Sequence, residues 1–302
     1  MAKGYFYKMA WFEGLAMKWG STILLIVALF LLYSCAQPEP TPNSLPSALP
    51  LPKASLPEPT AEAGAKLRLT IVYDNNEYDS CLETKWGFSC LVEGLEKTIL
   101  FDTGADSATL LSNMKKLKID PAEVDAVMLS HIHGDHVGGL SGFLEENSGI
   151  IVCVPKSFPD SFKDRVRLFG AEVEEVSEAK ELFTGVYTTG ELGNGIKEQS
   201  LIVTSSQGLV VITGCAHPGV VNIVRKARDM LAEKPVYLVI GGFHLAGAAT
   251  PQIESVIEGF RQLGVRKVAP CHCSGDETRK LFREEYGEAY IDSGAGKIIT
   301  LP

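Results

Sequence analysis

The chain has no excess of basic residues: 28 Lys and Arg stand against 37 Asp and Glu, for a net charge of −9 over 302 residues. Bulk charge therefore gives no reason to expect a nucleic-acid footprint. With no basic surface in view, a nuclease is disfavoured. Long apolar runs are also scarce. The N-terminal run over residues 23–33, ILLIVALFLLY, is eleven residues long, too short to span a bilayer comfortably. The spacing of a small disulfide scaffold is missing too. Cys81, Cys90, Cys153, Cys215, Cys271 and Cys273 are scattered, and Cys271-x-Cys273 is a poor zinc pair. Histidine is rare, with six residues, yet three of them fall within six consecutive positions.

The short apolar run suits the core of a signal peptide, and Leu32-Tyr33-Ser34-Cys35 resembles a bacterial lipobox. Residues 1–34 are expected to be a lipoprotein signal, with a lipid on Cys35 tethering the chain to a membrane outside the cytoplasm. Eight of the sixteen prolines lie between Cys35 and Thr60. Residues 35–64 therefore read as an extended linker, and residues 65–302 as the folded domain.

In that domain, strand-like and helix-like patterns alternate. Strands are expected over 69–74, 87–93, 98–101, 124–130, 150–154, 201–204, 209–213, 236–240, 267–270 and 298–301. Helices are expected over 107–117, 162–169, 220–231, 252–263 and 276–286. This mixture fits a layered α/β or α+β domain.

The cluster is Ser130-His131-Ile132-His133-Gly134-Asp135-His136, placed between a short apolar run and a helical stretch. Imidazole and carboxylate are the ligands that zinc and its neighbours prefer. His131 and His133, two apart at a strand end, can face the same way. Asp135 and His136 are adjacent and diverge unless the loop curls. A curled loop could give two ligands to one metal and two to a neighbour. The other histidines also follow expected strands: His217 in TGCAHPG, His244 in GGFHL and His272 in PCHCSG. Strand ends and their loops are where ligands gather in layered folds.

The segment IDPAEVDAVMLSHIHGDHVGGL, residues 119–140, with Phe101-Asp102-Thr103-Gly104 upstream, resembles the metallo-β-lactamase superfamily. The resemblance implies a four-layer αββα sandwich with one or two divalent metal ions at one edge. Zinc is the first choice, with iron or manganese as alternatives. It implies His131, His133 and His217 as ligands of one metal, and Asp135, His136 and His272 as ligands of the other. Asp102 would brace the histidine loop. Asp135 would also orient the attacking group, and His244 would serve as proton donor or further ligand. Where many members carry a bridging aspartate, this chain has Cys215, either a small buried residue or a soft ligand.

The motifs TGCAHPG, GGFHL and CHCSG, with WGFS at 86–89 and YDN at 73–75, narrow the resemblance. They are similar to a subfamily named for a dihydropterin–aminobenzene ribosyl phosphate synthase. Three functions follow as expectations. The first is a metal-dependent hydrolase, using metal-activated water on an ester, lactone, amide or phosphoester small molecule. The second is a transferase of the pterin type. The third is a tethered, non-catalytic metal- or ligand-binding protein.

Overall fold

The computed structural model describes residues 66–302. The signal segment, Cys35 and the Pro-rich linker expected from the sequence lie outside them. Among the described residues, no helix is long and apolar enough to cross a membrane.

Two sheets stack face to face. The first carries β1 (Leu67–Tyr73), β2 (Ser89–Glu93), β3 (Ile99–Phe101), β4 (Ala126–Met128), β5 (Ile151–Pro155), β6 (Glu172–Val176) and β13 (Ile298–Leu301), in the order β13-β1-β2-β3-β4-β5-β6. The second carries β7 (Lys180–Phe183), β8 (Val186–Thr188), β9 (Leu201–Ser205), β10 (Gly208–Thr213), β11 (Val236–Gly242) and β12 (Lys267–Cys271), in the order β12-β11-β10-β9-β8-β7. In the first sheet β3, β4, β5 and β6 run parallel; in the second β10, β11 and β12 do.

Alternation of side chains across each strand sorts the core into three layers. Leu69, Ile71, Ile99 and Phe101 meet Val210, Ile212, Leu238 and Ile240 between the sheets. The opposite faces of the same strands carry Leu91, Leu100 and Val127 on one side and Leu209, Val211 and Val239 on the other. Those outer faces are covered by helices. Helices α1 (Ser107–Lys116), α3 (Leu140–Glu146) and α4 (Asp160–Leu168) cover the first sheet; the one-turn α2 (Gly134–Val137) precedes α3. Helices α5 (Val220–Met230), α6 (Thr250–Gln262) and α7 (Asp276–Tyr286) cover the second. The result is the expected αββα sandwich.

The elements begin and end for local reasons. Helix α1 starts at Asp106, whose carboxylate accepts from Thr109 N, and ends with Lys115 and Lys116 in its last turn. The strand expected over 124–130 is shorter, Ala126–Met128. It stops because Ser130 N leaves the ladder and donates to Asp102 Oδ1 at 2.7 Å. Three strands had no apolar signature to announce them. β6 is a charged edge strand, EVEEV, whose Glu175 pairs with Lys163 at 3.0 Å and whose Glu174 pairs with Lys180 on β7. Polar β7 and three-residue β8 complete the set.

Candidate metal centre

The C-terminal ends of β4, β10, β11 and β12 converge at one edge of the sandwich. β4 leads into Ser130–His136, β10 into Cys215 and His217, β11 into His244, and β12 into His272 and Cys273. Close backbone approach makes this possible. A Cβ at Gly214 would lie 2.2 Å from Ser130 Oγ, and one at Gly87 would lie 2.7 Å from the Asp135 carbonyl oxygen. Among the described residues, five non-glycine residues have positive φ, and four stand here: Asp102 (58°), Ala216 (65°), His244 (54°) and His272 (48°). Such backbone strain persists only where the surroundings enforce it, commonly at functional sites.

The histidines form two sets. His131, His133 and His217 offer ring nitrogens that all lie within 4.8 Å of one another. Asp135, His136, Cys215 and His272 make a second group on the same criterion. The loop does curl, as the two-metal reading of the sequence required. Donor atoms sharing a tetrahedral zinc lie about 3.3–3.8 Å apart for bonds of ~2.0–2.3 Å. His131 Nε2 is 3.1 Å from His133 Nδ1, and Cys215 Sγ is 3.2 Å from His136 Nε2 and 3.4 Å from His272 Nε2. Asp135 Oδ2 is 3.6 Å from His136 Nε2 and 3.4 Å from His272 Nε2. These spacings fit a divalent cation in each set.

The outer nitrogens make the fit more specific. His136 Nδ1 meets Asp102 Oδ2 at 2.7 Å, and His217 Nδ1 meets Glu198 Oε2 at 2.8 Å. His272 Nδ1 meets Asn75 Oδ1 at 3.0 Å, and His131 Nδ1 meets Ser130 Oγ at 2.8 Å. Ser130 Oγ spends its own proton on Asp102 Oδ2, 2.7 Å away. It therefore accepts from His131 Nδ1. In all four rings Nδ1 is held by oxygen, which leaves Nε2 as the atom available to a metal, the arrangement that orients metal-binding imidazoles.

Electrostatics agree. Burial lowers the pKa of both His131 and His136 to about 3, reinforced by neighbouring histidines, so both rings are neutral lone-pair donors at pH 7. Burial raises Asp102 to about 7, against the pull of His131 and Ser130. For Glu198 burial also opposes the charge, but hydrogen bonds from His217 and two backbone amides outweigh it and hold the group at about 2. Asp135 is lowered and His272 raised: burial works against both charges, and their mutual contact overcomes it.

The structure brings His131, His133 and His217 together, and Asp135, His136 and His272 together, with Asp102 against His136. His244 stands at the exposed rim, its ring 4.5 Å from that of His217. Cys215 is buried, at 4% exposure, and its sulfur lies among imidazoles.

Three residues escaped the sequence reading. Glu198 is fully buried and also accepts from the backbone N–H groups of Cys215, Ala216 and His217. Its only signal is an isolated carboxylate just before an apolar strand. Asn75 clamps His272 from both sides, since its Nδ2 also donates to the His272 carbonyl. Cys273 was set aside with Cys271 as a poor pair. The two do part: Cys271 enters the core between the sheets, while Cys273 faces Cys215.

Comparison with known proteins now decides the family. The profile of the metallo-β-lactamase superfamily matches residues 87–224. The chain is 33% identical over 278 residues to the 7,8-dihydropterin-6-methyl-4-(β-D-ribofuranosyl)-aminobenzene-5'-phosphate synthase of Methanocaldococcus jannaschii, covering 76% of this chain and 95% of that protein.

The chain belongs to the metallo-β-lactamase superfamily.

A solved metal-dependent hydrolase of the superfamily is 29% identical, with a TM-score of 0.65 over 77% of this chain and 98% of its own. A metallo-β-lactamase-fold protein from Bacillus subtilis shares the fold at 12% identity, with a TM-score of 0.60 over 78% and 99% of the two chains. Membership of this superfamily makes the chain an enzyme by fold, one whose relatives usually bind divalent metals.

Proposed function

We propose that this protein is a metal-dependent hydrolase acting on a small organic ester, lactone, amide or phosphoester. The observation that carries the reading is the shared orientation of four imidazoles, each tied at Nδ1 and open at Nε2. A divalent cation held there would polarise the substrate and lower the pKa of a bound water. The proposed ligands are His131, His133 and His217 for one ion, and Asp135, His136, Cys215 and His272 for the other. Asp102, Ser130, Glu198 and Asn75 keep the rings aimed. Asp135, with partial solvent access, fixes the direction from which the attacking group approaches. Trp86 lies over the His272 ring at 4.9 Å with 54% of its surface exposed, so it offers an aromatic face to a substrate.

That exposed ring and the synthase-named relative favour a second reading. Here the acceptor is an aminobenzene ring rather than water, and a dihydropterin-methyl group is transferred to it. One experiment separates the two. The metal-loaded protein is offered an ester, lactone and phosphodiester panel in ¹⁸O-water, and separately a dihydropterin diphosphate with an aminobenzene derivative. The hydrolase reading expects ¹⁸O in a cleaved product, lost in His131→Ala. A coupled product with no cleavage of the panel would replace it with the transferase.

A further inference from the structure

We infer that Cys215, His244 and Cys273 form a further metal site, a Cys₂His cradle for a thiophilic cation such as Zn²⁺ or Cu⁺, in which the Cys215 sulfur is shared with the neighbouring Asp135, His136 and His272 set.

One donor atom from each of the three residues lies within 4.8 Å of the other two. The cradle is a product of topology. β10, β11 and β12 are adjacent and parallel, and just beyond its C-terminal end each delivers one donor: Cys215 after β10, His244 after β11 and Cys273 after β12. A convergence of neighbouring strand ends is the usual place for a ligand in such a sheet.

The sulfurs differ from the other buried cysteines of the domain. Cys90, Cys153 and Cys271 are embedded in the apolar core between the sheets, where a thiol is a small hydrophobe. Cys215 and Cys273 belong to none of the apolar clusters, although they are only 4% and 5% exposed. Cys273 Sγ is 3.5 Å from the Cys215 carbonyl oxygen, and Cys215 Sγ faces two imidazoles. The backbone is shaped around the sulfurs. A Cβ at Gly242 would come within 2.6 Å of Cys273 Sγ and 2.4 Å of the Gly214 carbonyl oxygen, so the end of β11 has room for the thiol and for nothing else. His244 adopts a left-handed φ of 54°, a costly conformation for a residue with a Cβ, and it presents its ring at the rim.

The donor chemistry selects the cation. Two sulfurs and one imidazole suit soft or borderline ions, whereas oxygen-preferring Mg²⁺ and Ca²⁺ have no partner here. The exposed side of His244 leaves a fourth position open to water or a small thiol. In this arrangement His244 serves as a ligand, one of the two roles that the sequence leaves open.

The test counts metal on the full chain. Wild-type protein, Cys273→Ser, His244→Ala and the core control Cys153→Ser are each loaded with Zn²⁺, then with Co²⁺, and desalted. Metal per chain is read by mass spectrometry, and thiolate coordination by the sulfur-to-cobalt charge-transfer band. The inference expects Cys273→Ser to lose one equivalent and a large part of that band. It expects His244→Ala to weaken binding of that equivalent at least about tenfold, since even outer partners of a metal cost 10–100-fold, and Cys153→Ser to match wild type. His244 is exposed, so its variant keeps the test open if Cys273→Ser does not fold. Equal metal content and equal cobalt spectra in wild type, Cys273→Ser and His244→Ala would overturn the inference. So would a Cys215–Cys273 disulfide in the loaded wild type, seen as the loss of two hydrogens in the intact mass with no metal equivalent lost in the variants. Unchanged activity in His131→Ala, with the sulfur-to-cobalt band retained, would tell against the proposed function and leave this site standing.

Discussion

The two ligand sets are a few ångströms apart and chemically unlike. His131, His133 and His217 are three imidazoles, and two of them have partial solvent access. Asp135, His136, Cys215 and His272 combine a carboxylate, two imidazoles and a thiol, with three of the four buried. The first set contains no anionic ligand. The second carries negative charge once Asp135 and Cys215 are ionised, and it is the softer of the two. An ion in the first set therefore keeps most of its positive charge and is the stronger activator, while an ion in the second is held more tightly. Their supports differ as well. The second set is braced by Asp102 and Asn75 at its two ends, and the first depends on Glu198 and Ser130.

The largest break in this comparison removes a ligand. His131→Ala should cut turnover by more than two orders of magnitude, beyond the ~10–100-fold typical of losing an outer partner. His136→Ala should do the same while leaving a metal in the first set, as read by metal analysis. The next effect removes a brace. Glu198→Gln should weaken metal binding at the first set by about 10–100-fold and spare the second, whereas Asn75→Ala, which frees only His272, should do the reverse. Isothermal titration with zinc distinguishes them; equal losses in both sets would mean that the sets do not act separately.

Smaller effects lie at the rim. Trp86→Ala should raise KM for an aromatic substrate about 2–10-fold, corresponding to ~0.5–1.5 kcal/mol of ring contact, with metal content unchanged. The weakest effect is remote from both sets. Burial opposes the charge on Asp106, but hydrogen bonds from Thr109 N, Tyr73 and Lys85 prevail and hold it at about 2. A folded pKa below the unfolded value of ~3.9 contributes stability above that value, and the contribution is lost as pH falls towards 2. Asp106→Ala should cost about 1 kcal/mol at pH 7 by loss of the α1 cap, and the cost should shrink in acid denaturation series.

Local pattern made much of this visible in advance. The continuous apolar runs of β9, β10 and β11 announce strands buried on both faces, and the compact spacing from His131 to His136 announces a metal loop. His217 and His272 stood out because glycine-rich turns follow apolar runs there. Other features depended on contacts between distant segments. Glu198 is one carboxylate whose four partners all lie at Cys215 to His217. Asn75 matters only because residue 272 folds against it. β6 escaped because the charges of an edge strand hide its period. Cys215 and Cys273 look like ordinary buried cysteines until three parallel strand ends bring them beside imidazoles.

The account rests on two ions held by two different ligand sets, with sulfur in only one of them. A crystal structure of the zinc-loaded protein, phased on zinc anomalous scattering, tests this directly. The account predicts one anomalous peak bonded by His131, His133 and His217, another bonded by Asp135, His136, His272 and Cys215 Sγ at about 2.3 Å, and, from the inferred cradle, a third at Cys215, His244 and Cys273. No peak at either set, or an ion in the second set with the Cys215 sulfur turned away, would contradict it.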